Sequence, residues 1–132
     1  MTPHLLPVRV YYEDTDFSGV VYHASYLRFM ERGRTELIRA LGVEQSALHD
    51  GDTALAFAVR RMGIEFLRPA RMDDMLDVET VPVLVRGATM ELRQRVLRGN
   101  EELVTANVTV ACIAAGRARR IPEALRARLR LD

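Results

Sequence analysis

From Leu103 to Ile113 the chain alternates almost without a break. Val104, Ala106, Val108, Val110 and Cys112 fall on one side and Thr105, Asn107 and Thr109 on the other, as in a strand with one face buried. Upstream, Met90, Leu92 and Val96 oppose Glu91, Arg93 and Arg95, and Gly99 and Asn100 supply a tight turn between the two runs, which predicts a hairpin. Leu76, Val78 and Thr80 opposite Asp77 and Glu79 predict a further strand after a turn at Met72 to Asp74. Met62, Ile64 and Phe66 opposite Arg61 and Glu65 predict another, ended by Pro69. Near the N-terminus, Val8, Val10 and Tyr12 alternate with Arg9 and Tyr11 and predict a first strand over Val8 to Tyr12.

One stretch has a different period. Between about Tyr22 and Leu41 the residues Tyr26, Met30, Gly33, Leu37 and Leu41 recur at helical spacing, with Arg28, Arg32, Thr35 and Arg39 on another side, which predicts a long amphipathic helix stopped at Gly42. Gly33 lies inside the apolar stripe, where the absent side chain costs ~1 kcal/mol of helix propensity but lets the backbone come close to a sheet. A short helical piece is predicted over Gln45 to His49, a turn over Asp50 to Asp52, and an Arg-rich helix after Pro122. The order is strand, long helix, then four antiparallel strands, an α+β layout in one domain. A curved antiparallel sheet laid against the helix buries the single apolar stripe and leaves the outer sheet face to water or to another subunit.

Composition narrows the chemistry. At 132 residues, 48% hydrophobic and 28% charged, the chain is a folded domain, and a net charge of +1 gives no global field that would favour nucleic acid or a membrane surface. All 19 basic residues are arginine, so lysine Schiff-base chemistry is excluded, whereas forks suited to phosphate and carboxylate abound. The single Cys112 forms no intramolecular disulfide. With no signal-like N-terminus and no long apolar run, a soluble cytoplasmic protein without an integral membrane segment is expected.

The polar loop Glu13 to Gly19, set between the first strand and the helix, is where candidate chemistry collects. The run from Tyr12 to Leu27, Tyr-Glu-Asp-Thr-Asp-Phe-Ser-Gly-Val-Val-Tyr-His-Ala-Ser-Tyr-Leu, continues with Glu31-Arg32-Gly33-Arg34-Thr35-Glu36. It resembles the signature of the 4-hydroxybenzoyl-CoA thioesterase family, and most nearly its Tol–Pal-associated acyl-CoA thioesterase branch. The second stretch Ile64-Glu65-Phe66-Leu67-Arg68-Pro69-Ala70-Arg71-Met72-Asp73-Asp74 is similar to the same branch. The resemblance implies the hotdog fold, a sheet around one long helix, and a homodimer or homotetramer with active sites near the subunit interface. It also implies hydrolysis of short- or medium-chain or aromatic acyl-CoA without a cofactor, with acyl carrier protein as a further thioester donor.

By that resemblance Asp16 is the catalytic carboxylate. It can act as nucleophile through a mixed anhydride or as general base for water. From the spacing alone Asp16 reads equally as the cap of a turn or of the helix. First-turn peptide N–H groups near Tyr22 and His23 suit the polarisation of a carbonyl, and the resemblance makes the His23 N–H the oxyanion donor. The His23 imidazole is a second candidate for catalysis, against a role in a subunit interface. Tyr22 and Tyr26 read as pocket-wall or core aromatics. Asp14, Asp16 and His23 match no closed metal-site spacing, so no metal is expected. Coenzyme A carries phosphates, and Arg86, Arg117, Arg119 and Arg120 are the local clusters able to bind them, against ordinary solvation. A non-catalytic acyl-CoA or carrier-protein binding module on the same fold is the alternative, followed by a hotdog dehydratase.

Overall fold

Five long strands take up most of the computed structural model, which describes residues 3–43 and 54–129. They are β1 (His4–Arg9), β2 (Ala56–Phe66), β3 (Met75–Arg86), β4 (Thr89–Arg98) and β5 (Glu101–Ala114), and a two-residue β6 (Arg117–Ala118) pairs with β5. All pair antiparallel in the order β1-β3-β4-β5-β2, so among the described residues β1 and β2 are the edges. Helix α1 (His23–Ala40) packs chiefly on β1, β3 and β4. A short α2 (Glu123–Arg128), preceded by Pro122, buries Leu125 at the far end of the core.

The register explains which residues meet α1. Residues directly opposite across an antiparallel pair share a face, so Leu6, Val78, Val96, Val104 and Phe66 form one inner row and His4, Thr80, Gln94, Ala106 and Ile64 the next. Over the middle strands these rows are fully buried: Val78, Val96 and Val104 expose nothing. On the middle strands two polar residues, Thr80 and Gln94, sit among them without being orphaned, unlike the buried His4 Nδ1 on β1. The Gln94 amide donates to the Met30 carbonyl and to Thr80 Oγ1, both at 2.9 Å, and its oxygen accepts from Arg34 at 3.0 Å, as buried polar groups require. Gly33 faces this row, and a Cβ built there would lie 2.7 Å from Val78 Cγ1. The helix approaches the sheet as closely as its glycine permits.

β1 begins and ends earlier than alternation predicts. Pairing stops at Arg9, after which Val10 exchanges hydrogen bonds with the 73–74 turn: its N–H donates to the Asp74 carbonyl at 2.9 Å, and the Asp73 N–H donates to its carbonyl at 3.0 Å. Tyr12, expected on the buried side, is exposed, because Tyr12–Asp14 is a 3-10 turn. The Tyr11 N–H donates to Asp14 Oδ2 at 2.8 Å, and this local carboxylate bond competes with strand continuation. The segment expected to hold the Gln45 to His49 helix and the Asp50 to Asp52 turn lies outside the described residues.

Candidate active site

The loop Thr15 to Val21 folds back on itself. Thr15 bridges Val21, Val20 bridges Arg71, and the Val21 N–H donates to the Ala70 carbonyl at 2.8 Å. At its tip the Asp16 N–H donates to the Val20 carbonyl at 2.9 Å, and the Gly19 N–H donates back to the Asp16 carbonyl at 3.0 Å. This closure needs Gly19 at φ +84°, a left-handed conformation that favours glycine. Asp16 Oδ1 accepts from the Ser18 N–H at 2.9 Å and from the Ser18 hydroxyl at 2.6 Å. The turn-cap reading is therefore realised by one carboxylate oxygen, while Oδ2 has no partner among the described residues. The Ser18 hydroxyl, followed by the backbone N–H groups of the turn, holds the Asp16 carboxyl below the usual range.

Helix α1 starts two residues after this loop closes. The Tyr22 N–H, expected to be unpaired, donates to the Asp14 carbonyl at 2.9 Å, and the Ser25 N–H donates to the Tyr22 carbonyl at 2.8 Å. The N–H groups of His23 and Ala24 have no partner among the described residues, as the first turn of a helix leaves them. Free amide donors at a positive helix end suit a carbonyl oxygen that gains negative charge. Asp14 itself is buried. Its carbonyl also accepts the Ser25 hydroxyl at 3.0 Å, and Arg28 donates to Ser25 Oγ at 3.1 Å.

Beside the helix start lies an open cleft of about 260 Å³, lined by Val21, His23, Tyr26, Phe66, Leu67, Arg68 and Pro69. The His23 ring meets Phe66 edge-on at 6.0 Å, and Phe66 lies 5.9 Å from Tyr26. Tyr26 is fixed from below, since its hydroxyl oxygen accepts the Ala70 N–H at 2.9 Å, and burial pushes its phenol up. Such walls suit an apolar group. Tyr22 meets His23 with its ring tilted, centroids 4.5 Å apart, and it and Asp16, both exposed, lie outside the cleft wall. Phe66 escaped sequence reasoning as a site residue because alternation reads it only as the buried side of a strand; the resemblance around Ile64 to Asp74 was the one signal available.

The four arginines are elsewhere. Arg86 ends β3, Arg117 lies in β6, and Arg119 and Arg120 follow it, whereas the cleft adjoins the Met75 end of β3 and the Leu103 end of β5 through the bonds of Val10, Leu67 and Arg68. At ~3.3 Å per residue the two ends of β3 are roughly 35 Å apart. Within one chain these side chains and Asp16 are not brought together. All four are exposed, and Arg120 lines a separate cavity of about 460 Å³ with Leu84, Val85, Glu123 and Arg126. Among the described residues, no three His, Cys, Asp or Glu side chains converge as a metal site would need, and no helix is long and apolar enough to cross a membrane.

Comparison with known proteins gives a consistent pattern. The family model of the thioesterase superfamily matches residues 18–105. The chain is 49% identical over 111 residues, 84% of its length and 81% of the relative's, to the acyl-CoA thioesterase YbgC of Haemophilus influenzae. It is 47% identical to the acyl-CoA thioester hydrolase YbgC of Escherichia coli, over 81% of this chain and 79% of the other. Among solved structures, the probable thioesterase of Bartonella henselae superposes with a TM-score of 0.89 at 45% identity, covering 92% of this chain and all of that one.

Proposed function

The chain belongs to the thioesterase superfamily and has its hotdog fold, and on that premise we propose that it hydrolyses acyl-coenzyme A to the free acid and coenzyme A, with Asp16 as the reacting carboxylate. The observation that carries this reading is the arrangement at the head of α1. There a carboxylate with one unpartnered oxygen and the unpaired His23 N–H are tied to the same short loop beside an apolar cleft. The thioester carbonyl oxygen accepts from the His23 N–H, which stabilises the charge that develops as the carbonyl carbon becomes tetrahedral. Asp16 either attacks that carbon, expelling the thiolate and leaving a mixed anhydride that water cleaves, or takes a proton from a water molecule that attacks directly. In both routes water supplies the hydroxyl of the acid, and its other proton ends on the departing thiolate to give the free thiol. The acyl group, short- or medium-chain or aromatic, occupies the cleft walled by Tyr26, Phe66 and the His23 ring, and Tyr22 flanks its mouth.

The active unit is proposed to be a homodimer or homotetramer built on the free edge of β2. Along the inner rows burial is weakest there: Phe66 and Val59 are each 47% exposed, whereas at the β1 edge Leu6 and His4 are half-buried, as Met62 and Ile64 are. An isologous pair through this edge runs the two β2 strands antiparallel, so the Ala56 end of one chain lies beside the Phe66 end of the other. This pairing carries Arg86, Arg117, Arg119 and Arg120 of the second copy toward the cleft, where they bind the phosphates of coenzyme A. Delivery of the acyl group by acyl carrier protein is a further arm of the same proposal.

Steady-state thiol release from a panel of acyl-CoAs tests the assignment. Asp16→Asn is expected to lower turnover by on the order of 10²- to 10⁴-fold; equal turnover by both proteins overturns it. Tight acyl-CoA binding with no thiol release by the wild type instead identifies a binding module.

A further inference from the structure

The loop that carries Asp16 and the helix that carries His23 are joined through a third residue that takes no part in the chemistry proposed above. The Asp14 carbonyl has both lone pairs engaged, one by the Tyr22 N–H at 2.9 Å and one by the Ser25 hydroxyl at 3.0 Å. Its carboxylate accepts the Tyr11 N–H at 2.8 Å through Oδ2 and lies 3.9 Å from Arg28 through Oδ1. Arg28 in turn donates to Ser25 Oγ at 3.1 Å. A serine hydroxyl rotates freely and has a single proton. With a guanidinium donating into its oxygen, that proton is directed at Asp14. Ser25 is 1% exposed and Asp14 9%, so water offers little competition for these bonds, and buried polar networks that are fully satisfied are rigid.

We infer that Asp14 and Ser25, with Arg28 aiming the hydroxyl, are positioning residues that fix the Asp16 loop against the first turn of α1. The inference rests on the reading of Asp16 and the His23 N–H as the reacting pair. The lock accounts for the selectivity among the first-turn donors: the Tyr22 N–H is consumed in holding the loop, and the His23 N–H stays free for substrate. Asp14 stands two residues before Asp16, and Ser25 two residues after His23. A shift at their junction therefore passes directly into the spacing of carboxylate and amide, while leaving Phe66 and Pro69 of the acyl cleft in place.

The test is a comparison of kcat and KM on one acyl-CoA for Ser25→Ala, Ser25→Thr, Arg28→Met and Asp16→Asn. Misplacement of a reacting group by about 1 Å costs up to ~10²-fold in rate. Ser25→Ala is therefore expected to lower kcat by at least about tenfold with KM within about twofold. Ser25→Thr, which keeps the hydroxyl, restores most of the rate. Arg28→Met, a change at an exposed guanidinium, lowers kcat in the same direction at unchanged melting temperature, which keeps the test independent of a folding defect at the buried serine. The acid limb of the pH profile stays where it is, because the Ser18 bonds to Asp16 are untouched. If Asp16→Asn is inactive while Ser25→Ala and Arg28→Met turn over like wild type, the positioning role is overturned and the catalytic reading survives. Parallel changes in KM and melting temperature, with no rescue by threonine, also overturn it. Full turnover by Asp16→Asn removes the reading on which it rests.

Discussion

In the proposed reaction the Asp16 carboxylate has two demands to meet. Its Oδ1 accepts both Ser18 donors and so holds the loop tip, which leaves Oδ2 as the oxygen available for attack or proton transfer. The Ser18 bonds favour the charged form and lower the pKa of the group below its usual value. The active form in either proposed route is the carboxylate, so activity is retained as pH falls past about 3.9, the range of an unperturbed aspartate, and is lost only as pH drops through the lowered value. Ser18→Ala removes the largest cause of that depression. The acid limb of log kcat/KM against pH is expected to move upward, with the neutral-pH rate little changed because the group is ionised there in both proteins. A limb that stays in place, measured on the same acyl-CoA, would assign it to another group.

At the scale of elements, the closest constraint is the meeting of α1 with β3 and β4 at Gly33. A methyl group there would stand 2.7 Å from Val78 Cγ1 and 3.2 Å from the Gln94 amide nitrogen, and Gln94 cannot retreat without giving up its bonds to Met30 and Thr80. Overpacking costs ~1–3 kcal/mol and the gain in helix propensity returns ~1 kcal/mol. Gly33→Ala is therefore expected to destabilise by up to about 2 kcal/mol net, read as a lower melting temperature or urea midpoint; an unchanged or higher midpoint would show that the sheet yields. This contact was legible in the sequence as a glycine inside an apolar helical stripe, just as α1, β3, β4 and β5 were legible from their periods. Gln94 was not, because a polar residue in a buried row breaks the alternation and two of its three partners come from a helix 60 or more residues away. The end of β1 was misread for a similar reason: Val10 does face the core, but its hydrogen bonds go to the 73–74 turn and Asp14 draws the next residues into a 3-10 turn. Alternation reports which side a residue faces, and it does not report where its backbone bonds go.

At the scale of the molecule, a single chain supplies a cleft and an acid but leaves both the apolar inner side of β2 and the four arginines without a role. The sequence pointed to the arginines as a local cluster, yet only the strand register reveals that they lie at the opposite end of the sheet from the cleft. No pattern within one chain encodes a distance that only a second copy would close. Burial argues for that second copy: Val59 and Phe66, on the same face as the buried Val104 and Val110, are half open to solvent along a strand that, among the described residues, has no neighbour on its outer side. An aspartate at position 59 places a charge on this face of β2, where the proposed pairing would bury it against the second copy. It burdens the folded single chain little, since the site is already half exposed. Sedimentation velocity is therefore expected to find the wild type as a dimer or larger and Val59→Asp shifted toward the single chain, with circular dichroism preserved. If the arginines act across the pair, the variant's KM for acyl-CoA rises, whereas hydrolysis of a short thioester lacking the nucleotide suffers much less. A wild type that sediments as a single chain while hydrolysing acyl-CoA at full rate would leave the half-open strand unexplained and return the arginines to ordinary surface charges.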